Sequence, residues 1–171
     1  MAKTIIRCTL GTIDDAIREI EAYERDMQAK VKRLQEAVAE RVAEYAGLLF
    51  GSAVVDDLIK GPRYADVSVT FDHRERVSIV VANGEDAVWV EFGAGVYHNG
   101  SVGSSPHPEG ARLGFTIGGY GKGYGAKRMW GYQSEDDELV LTRGTPAVMP
   151  MYNALKTVCE QIIEIAKEVF A

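Results

Sequence analysis

Glu91 is the residue that first raises a question of chemistry. It is the lone carboxylate in an apolar run, Val88-Trp89-Val90-Glu91-Phe92, which then breaks into Gly93-Ala94-Gly95. An acid on a strand end beside a flexible turn could serve as a general acid or base, but that work needs a partner acid, base or nucleophile. The sequence names none, so Glu91 reads as an exposed acid or one paired with a basic group such as Arg143, with the turns over residues 93–95 and 143–146 lying side by side. The three histidines, His73, His98 and His107, form no i, i+4 pair. They read as solvated loop residues, with His107-Pro108-Glu109 only superficially suggestive of metal ligands. Ser101, Ser104 and Ser105 lie near His107 but lack the frame of a nucleophile elbow or an SxxK motif.

A second group of residues could bind rather than react. Gly121-x-Gly123-x-x-Ala126 has the spacing of a dinucleotide fingerprint, but that motif needs a strand before it and a helix after it. Here its surroundings read as loop, and no P-loop Gly-Lys-Ser/Thr is present. Lys122, Lys127 and Arg128 alternate with Tyr120, Tyr124 and Trp130, a mixture also used by single-strand nucleic-acid binders. The acidic Glu135-Asp136-Asp137-Glu138 follows at once and offsets that potential. Docking on protein is the reading we favour for this loop, with Tyr97, His98, Tyr120, Lys122, Tyr124, Lys127, Arg128 and Trp130 as its candidate contact residues. No catalytic, cofactor or metal residue is assigned.

The elements that would position these residues follow from periodicity. Ile13, Ile17, Ile20, Tyr23, Met27, Val31, Leu34, Val38, Val42, Tyr45 and Leu49 recur in steps of three or four, the stripe of an amphipathic helix. Asp14 and Asp15 suit its first turn, with Thr12 as N-cap. A straight helix over residues 13–50 would be ~57 Å long, so it either breaks near residues 23–25 or reaches beyond its own domain. It would then offer a packing face to another subunit. Before it, residues 4–9 read as a short strand. After it, Val67, Val69 and Phe71, then Val77, Ile79 and Val81, alternate as half-buried strands do. Asn83-Gly84 reads as a hairpin turn leading to a third strand over residues 87–92, and residues 138–142 as a fourth. Pro150 opens a C-terminal helix with Met151, Leu155, Val158, Ile162, Ile165 and Val169 on one stripe. Residues 96–137 hold ten glycines and form an extended loop insertion. The expected fold is therefore α+β in one domain, residues 1–171. An antiparallel sheet of three to four strands packs against a long, or broken, N-terminal helix and a C-terminal helix, with a long Gly- and aromatic-rich loop.

Composition bounds the rest. The chain has 171 residues, 46% hydrophobic and 26% charged, with a net charge of −6. That balance suits a globular core and argues against a dedicated nucleic-acid binder. Cys8 and Cys159, far apart and in no ligand spacing, read as free thiols in a reducing compartment. No run approaches a membrane span, and residues 1–8 lack a signal-peptide core, so a cytoplasmic product is expected.

Two stretches carry a family resemblance. Val90-Glu91-Phe92-Gly93, within residues 89–95, resembles the first signature of the gene-product-ten-like (Hong-Kong-ninety-seven type) phage tail-completion or head–tail joining proteins. Arg143-Gly144-Thr145-Pro146-Ala147, followed by Pro150, resembles their second. Ala94 departs from the usual Thr or Ser. The resemblance implies a non-enzymatic structural protein of the phage or prophage virion, made in the bacterial host cytoplasm and needing no cofactor. It would join head and tail, or complete the tail, in the neck. Its partners would be neighbouring neck and tail proteins and further copies of itself in a ring, commonly six-fold, through which DNA passes without specific binding. It would touch no membrane. A minor tail or tail-terminator component is the alternative in the same pathway. A nucleotide-binding protein or small enzyme using the Gly-rich loop is the alternative of another class.

Overall fold

A computed structural model describes residues 13–75, 77–95, 105–115, 129–134 and 136–171. The expected strand at residues 4–9 and the Thr12 cap lie outside these. Helix α1 runs unbroken over Ile13–Ser52, 40 residues, with Asp14 and Asp15 in its first turn. Of the two alternatives, a break near residues 23–25 or a helix reaching beyond the core, the second is found. No proline interrupts the apolar stripe, and Arg25–Glu21 and Gln28–Glu24 pairs staple the helix across that point. At 1.5 Å per residue α1 is ~60 Å long. Its buried residues are Ala39, Val42, Ala43, Ala46 and Phe50, so only the C-terminal half belongs to the core. The N-terminal half projects: Ile13 is 47% and Ile20 55% exposed.

After α1 come β1 (Val54–Val55) and β2 (Arg63–Tyr64), paired antiparallel. Strands β3 (Ser68–His73) and β4 (Ser78–Asn83) form the longest ribbon, with Val69 opposite Ala82 and Phe71 opposite Val80. Residues 87–92, expected as a third strand, form helix α2 (Ala87–Phe92). Its buried residues Ala87, Val90 and Glu91 stand at i, i+3 and i+4, the spacing of a helix face. Asn83-Gly84 accordingly leads into α2 rather than into a hairpin. Gly84 has φ +145°, and a Cβ there would lie 2.0 Å from the Asp66 carbonyl oxygen. Asp86, just before α2, is buried. It accepts bonds from both Arg63 guanidinium nitrogens, at 2.5 and 3.1 Å, and from the Asp66 amide.

Strand β5 (Ala94–Gly95) pairs with β8 (Gly144–Thr145), and β6 (Trp130–Gln133) with β7 (Leu139–Thr142). Helix α3 (Pro150–Phe170) closes the chain with proline in its first turn. The fold is thus mixed helix and sheet. Among the described residues the strands form four two-stranded antiparallel ribbons rather than one sheet of three to four strands. With residues 87–92 helical, the β3–β4 ribbon gains no third strand among the described residues. The expected fourth strand finds its partner instead in β6, inside the Gly-rich segment.

The core joins Val42, Ala46 and Phe50 of α1 to Val55, to Val90 of α2, and to Ala154, Val158 and Ile165 of α3. Val67, Val69, Val80 and Ala82 cover it from the β3–β4 side. α1 and α3 run antiparallel, since Arg41 pairs with Glu168 and the Tyr45 hydroxyl bonds Gln161. On α3 the buried face is Ala154, Val158 and Ile165, while Leu155 and Ile162 of the expected stripe stay exposed.

Candidate functional site

Glu91 ends up among backbone amides. Met149, the residue before α3, adopts a left-handed conformation and supplies no side-chain cap, so the first amides of α3 need acceptors from elsewhere. Glu91 supplies them: Oε2 accepts the Met151 amide at 2.8 Å and Oε1 the Tyr152 amide at 3.0 Å. A carboxylate at a helix N-terminus also meets the positive end of the helix dipole. One turn earlier, the Val90 carbonyl accepts the amides of Val148 and Met149. With the β5–β8 pairing, these bonds clasp α2 to the entry of α3.

His107 completes the clasp. Its Nδ1 accepts the Glu109 amide at 3.0 Å, which leaves the proton of the neutral ring on Nε2. Nε2–H then donates to Glu91 Oε1 at 3.2 Å. Both side chains are buried, Glu91 at 6% exposure. Aromatic rings wall the pair in: Phe92 lies 4.5 Å and Tyr152 5.3 Å from the imidazole, and Phe115 stacks on Phe92 at 3.9 Å. The Ser105 hydroxyl donates to the Phe92 carbonyl and accepts the His107 amide.

Beside the clasp is a cavity of about 700 Å3 between α1, β4, α2 and α3. Val38, Val42, Val80, Phe92, Met151 and Leu155 give it apolar walls, with Glu91 and His107 on one side. Gln35 reaches across it to bond the Ser78 hydroxyl at 3.2 Å. Among the described residues, no group of three or more His, Cys, Asp or Glu side chains is arranged to hold a metal.

The expected residues fare differently. Residues 93–95 and 143–146 were expected to lie side by side, and β5 and β8 join them. The Glu91–Arg143 pair does not form. Glu91 is turned inward to the amides of α3, whereas Arg143 is exposed and its amide bonds Asp56 at 3.0 Å. His107 is no solvated loop residue but the buried partner of Glu91. Tyr97, His98, Tyr120, Lys122, Tyr124, Lys127 and Arg128 lie outside the described residues. Trp130 is placed only by its backbone in β6. Among the described residues no helix is long and apolar enough to cross a membrane. No protein-family model, no curated protein and no solved structure matches the chain.

Proposed function

We propose that the chain is a structural virion protein of the gene-product-ten-like group. It acts in the phage neck, joining head to tail or completing the tail by assembling into a ring. The supporting observation is that the two segments carrying the resemblance meet as one clasp. Glu91 and Val90 of the first bind the amides that open α3 in the second, and Ala94–Gly95 pairs with Gly144–Thr145. Residues whose task is to lock two helices together suit a protein that works by assembly. The projecting half of α1, with exposed Ile13, Ile17 and Ile20, adds an apolar surface that suits a protein partner.

In this reading the partners are neck and tail proteins and further copies in a six-fold ring. DNA passes through without specific contacts, and the protein travels in the virion after synthesis in the bacterial cytoplasm. It has no catalytic role. Deleting its gene from the phage or prophage and imaging the lysate tests this. Full heads beside separate, finished tails are expected, with infectivity restored when the purified protein is added. Aberrant tails would favour the minor tail or tail-terminator alternative. Normal infectious virions would overturn both.

A further inference from the structure

The first 26 residues of α1, from its projecting end to the edge of the core, carry a period that the rest of the helix does not. Ile13, Ile17, Ile20, Glu24, Met27, Val31, Leu34 and Val38 follow one another in strict alternating steps of four and three. That is the 3.5-residue repeat of a left-handed coiled-coil seam, sustained over the three to four heptads that distinguish a coil from an ordinary surface helix. At Val38 the phase changes. The buried residues Val42, Ala46 and Phe50 are spaced by fours and face the core. Leu34 and Val38, the last two positions of the repeat, already pack partly buried against the core, and full burial begins just beyond them at Ala39 and Val42. The seam from Ile13 to Val31 therefore has its own packing partner to meet, and α1 itself is complementary to it. The four ion pairs of this region, Arg18–Asp15, Arg25–Glu21, Lys30–Asp26 and Lys32–Glu36, all sit off the seam and leave it clear.

We infer that the free protein is a two-fold dimer in which the seams of two copies pack antiparallel. Glu24 sets the direction. In a parallel pair it would face its own copy across the core, setting two carboxylates against each other without a counter-charge. In an antiparallel pair a positions face d positions. The register that uses the whole seam then sets Ile13 against Val38, Ile17 against Leu34, Ile20 against Val31 and Glu24 against Met27. No like charges meet across the flanks, where Glu21 lies near Gln28 and Tyr23 near Lys30. The contact is about 39 Å long. It keeps the two globular bodies at opposite ends, whereas a parallel pair would bring both to one end. It also leads somewhere: Val38 lines the apolar cavity, so the Ile13 of one copy arrives at the cavity of the other.

This inference concerns the free chain and does not rest on the neck reading. It is tested on the full chain at micromolar concentration by sedimentation equilibrium. A mass twice the 18.7 kDa of one chain is expected; a mass of one chain, or of a larger ring, overturns it. Ile17→Glu lies outside the core, so it should halve the mass while leaving the circular dichroism and unfolding midpoint of the body in place. An undiminished mass would show that another surface holds the copies together. Direction is read by oxidation after Cys8 and Cys159 are replaced by serine. Ile20→Cys with Val31→Cys should link two chains covalently. Linking by Ile20→Cys alone would mean a parallel pair and overturn the arrangement.

Discussion

Replacing Glu91 by alanine tests the clasp most directly. The carboxylate accepts two helix amides at 2.8 and 3.0 Å and the His107 Nε2–H at 3.2 Å, all away from water. Hydrogen bonds to a charged group contribute about 1.5–3 kcal/mol each at most, and stranded donors carry their own desolvation cost. Three such bonds are lost and three buried neutral donors are stranded, so we expect Glu91→Ala to cost about 3–5 kcal/mol. For a chain of this length that lowers the melting temperature by about 10 °C. Glu91→Gln keeps one acceptor oxygen for Tyr152 and His107 but turns an NH2 toward the Met151 amide, so it should cost less, about 1.5–3 kcal/mol. Urea unfolding with unchanged m-value measures both. Amide exchange at Met151 and Tyr152 should quicken in the alanine variant. A Glu91→Ala cost below about 1 kcal/mol, with those two amides still protected, would refute the account of Glu91 as the cap of α3.

Three further outcomes follow from the same geometry. Gly84→Ala should cost about 3 kcal/mol in urea unfolding, because it forces φ +145° on an L residue and drives a Cβ against the Asp66 carbonyl. Asp86→Ala should cost about 2 kcal/mol, chiefly by removing the acceptor of the Asp66 amide, since the Arg63 guanidinium is 44% exposed and turns to water, while Asp86→Asn should recover part of the loss. Asp57 is held below the ordinary carboxylate value of 3.8 by the amides of Lys60 and Ile59. A lowered folded-state value means stability that is fully present above 3.8 and lost as pH falls through the folded value. The urea midpoint of the parent should therefore fall more steeply on acidification below 3.8 than that of Asp57→Asn.

Sequence alone revealed what local physics decides. The stripe of α1, the proline entry to α3 and the β3–β4 ribbon all rest on periodicity or backbone chemistry within a few residues. The adjacency of residues 93–95 and 143–146 was also legible, through the two glycine turns. Residues 87–92 were not, because six residues fit both periods. Val88, Val90 and Phe92 alternate like a strand, while Ala87, Val90 and Glu91 share a helix face. Tertiary structure decides between them: in a helix, Val90 turns into the core and Glu91 to the bare amides of α3. His107 was equally hidden, since its partner is 16 positions away and the glycine-rich chain between them carries no periodic signal. The one local hint was an acid in an apolar run with no basic neighbour, which requires buried donors from elsewhere.

The clasp also limits what the cavity beside it can do. Both nitrogens of His107 are committed, one to an amide and one to Glu91, and each Glu91 oxygen accepts a helix amide. Gln35 is tied to Ser78, and Glu109 to Arg112. To act as a base, His107 would have to release Glu91 or the Glu109 amide, and with it part of the anchorage of α3. Apart from the Tyr152 hydroxyl, recognition in this cavity falls to Val38, Val42, Val80, Phe92, Met151 and Leu155, so shape and apolar area select the occupant. An apolar side chain delivered by a protein partner suits such walls better than a charged metabolite. Substitutions at Glu91 and His107 should accordingly weaken folding and assembly together.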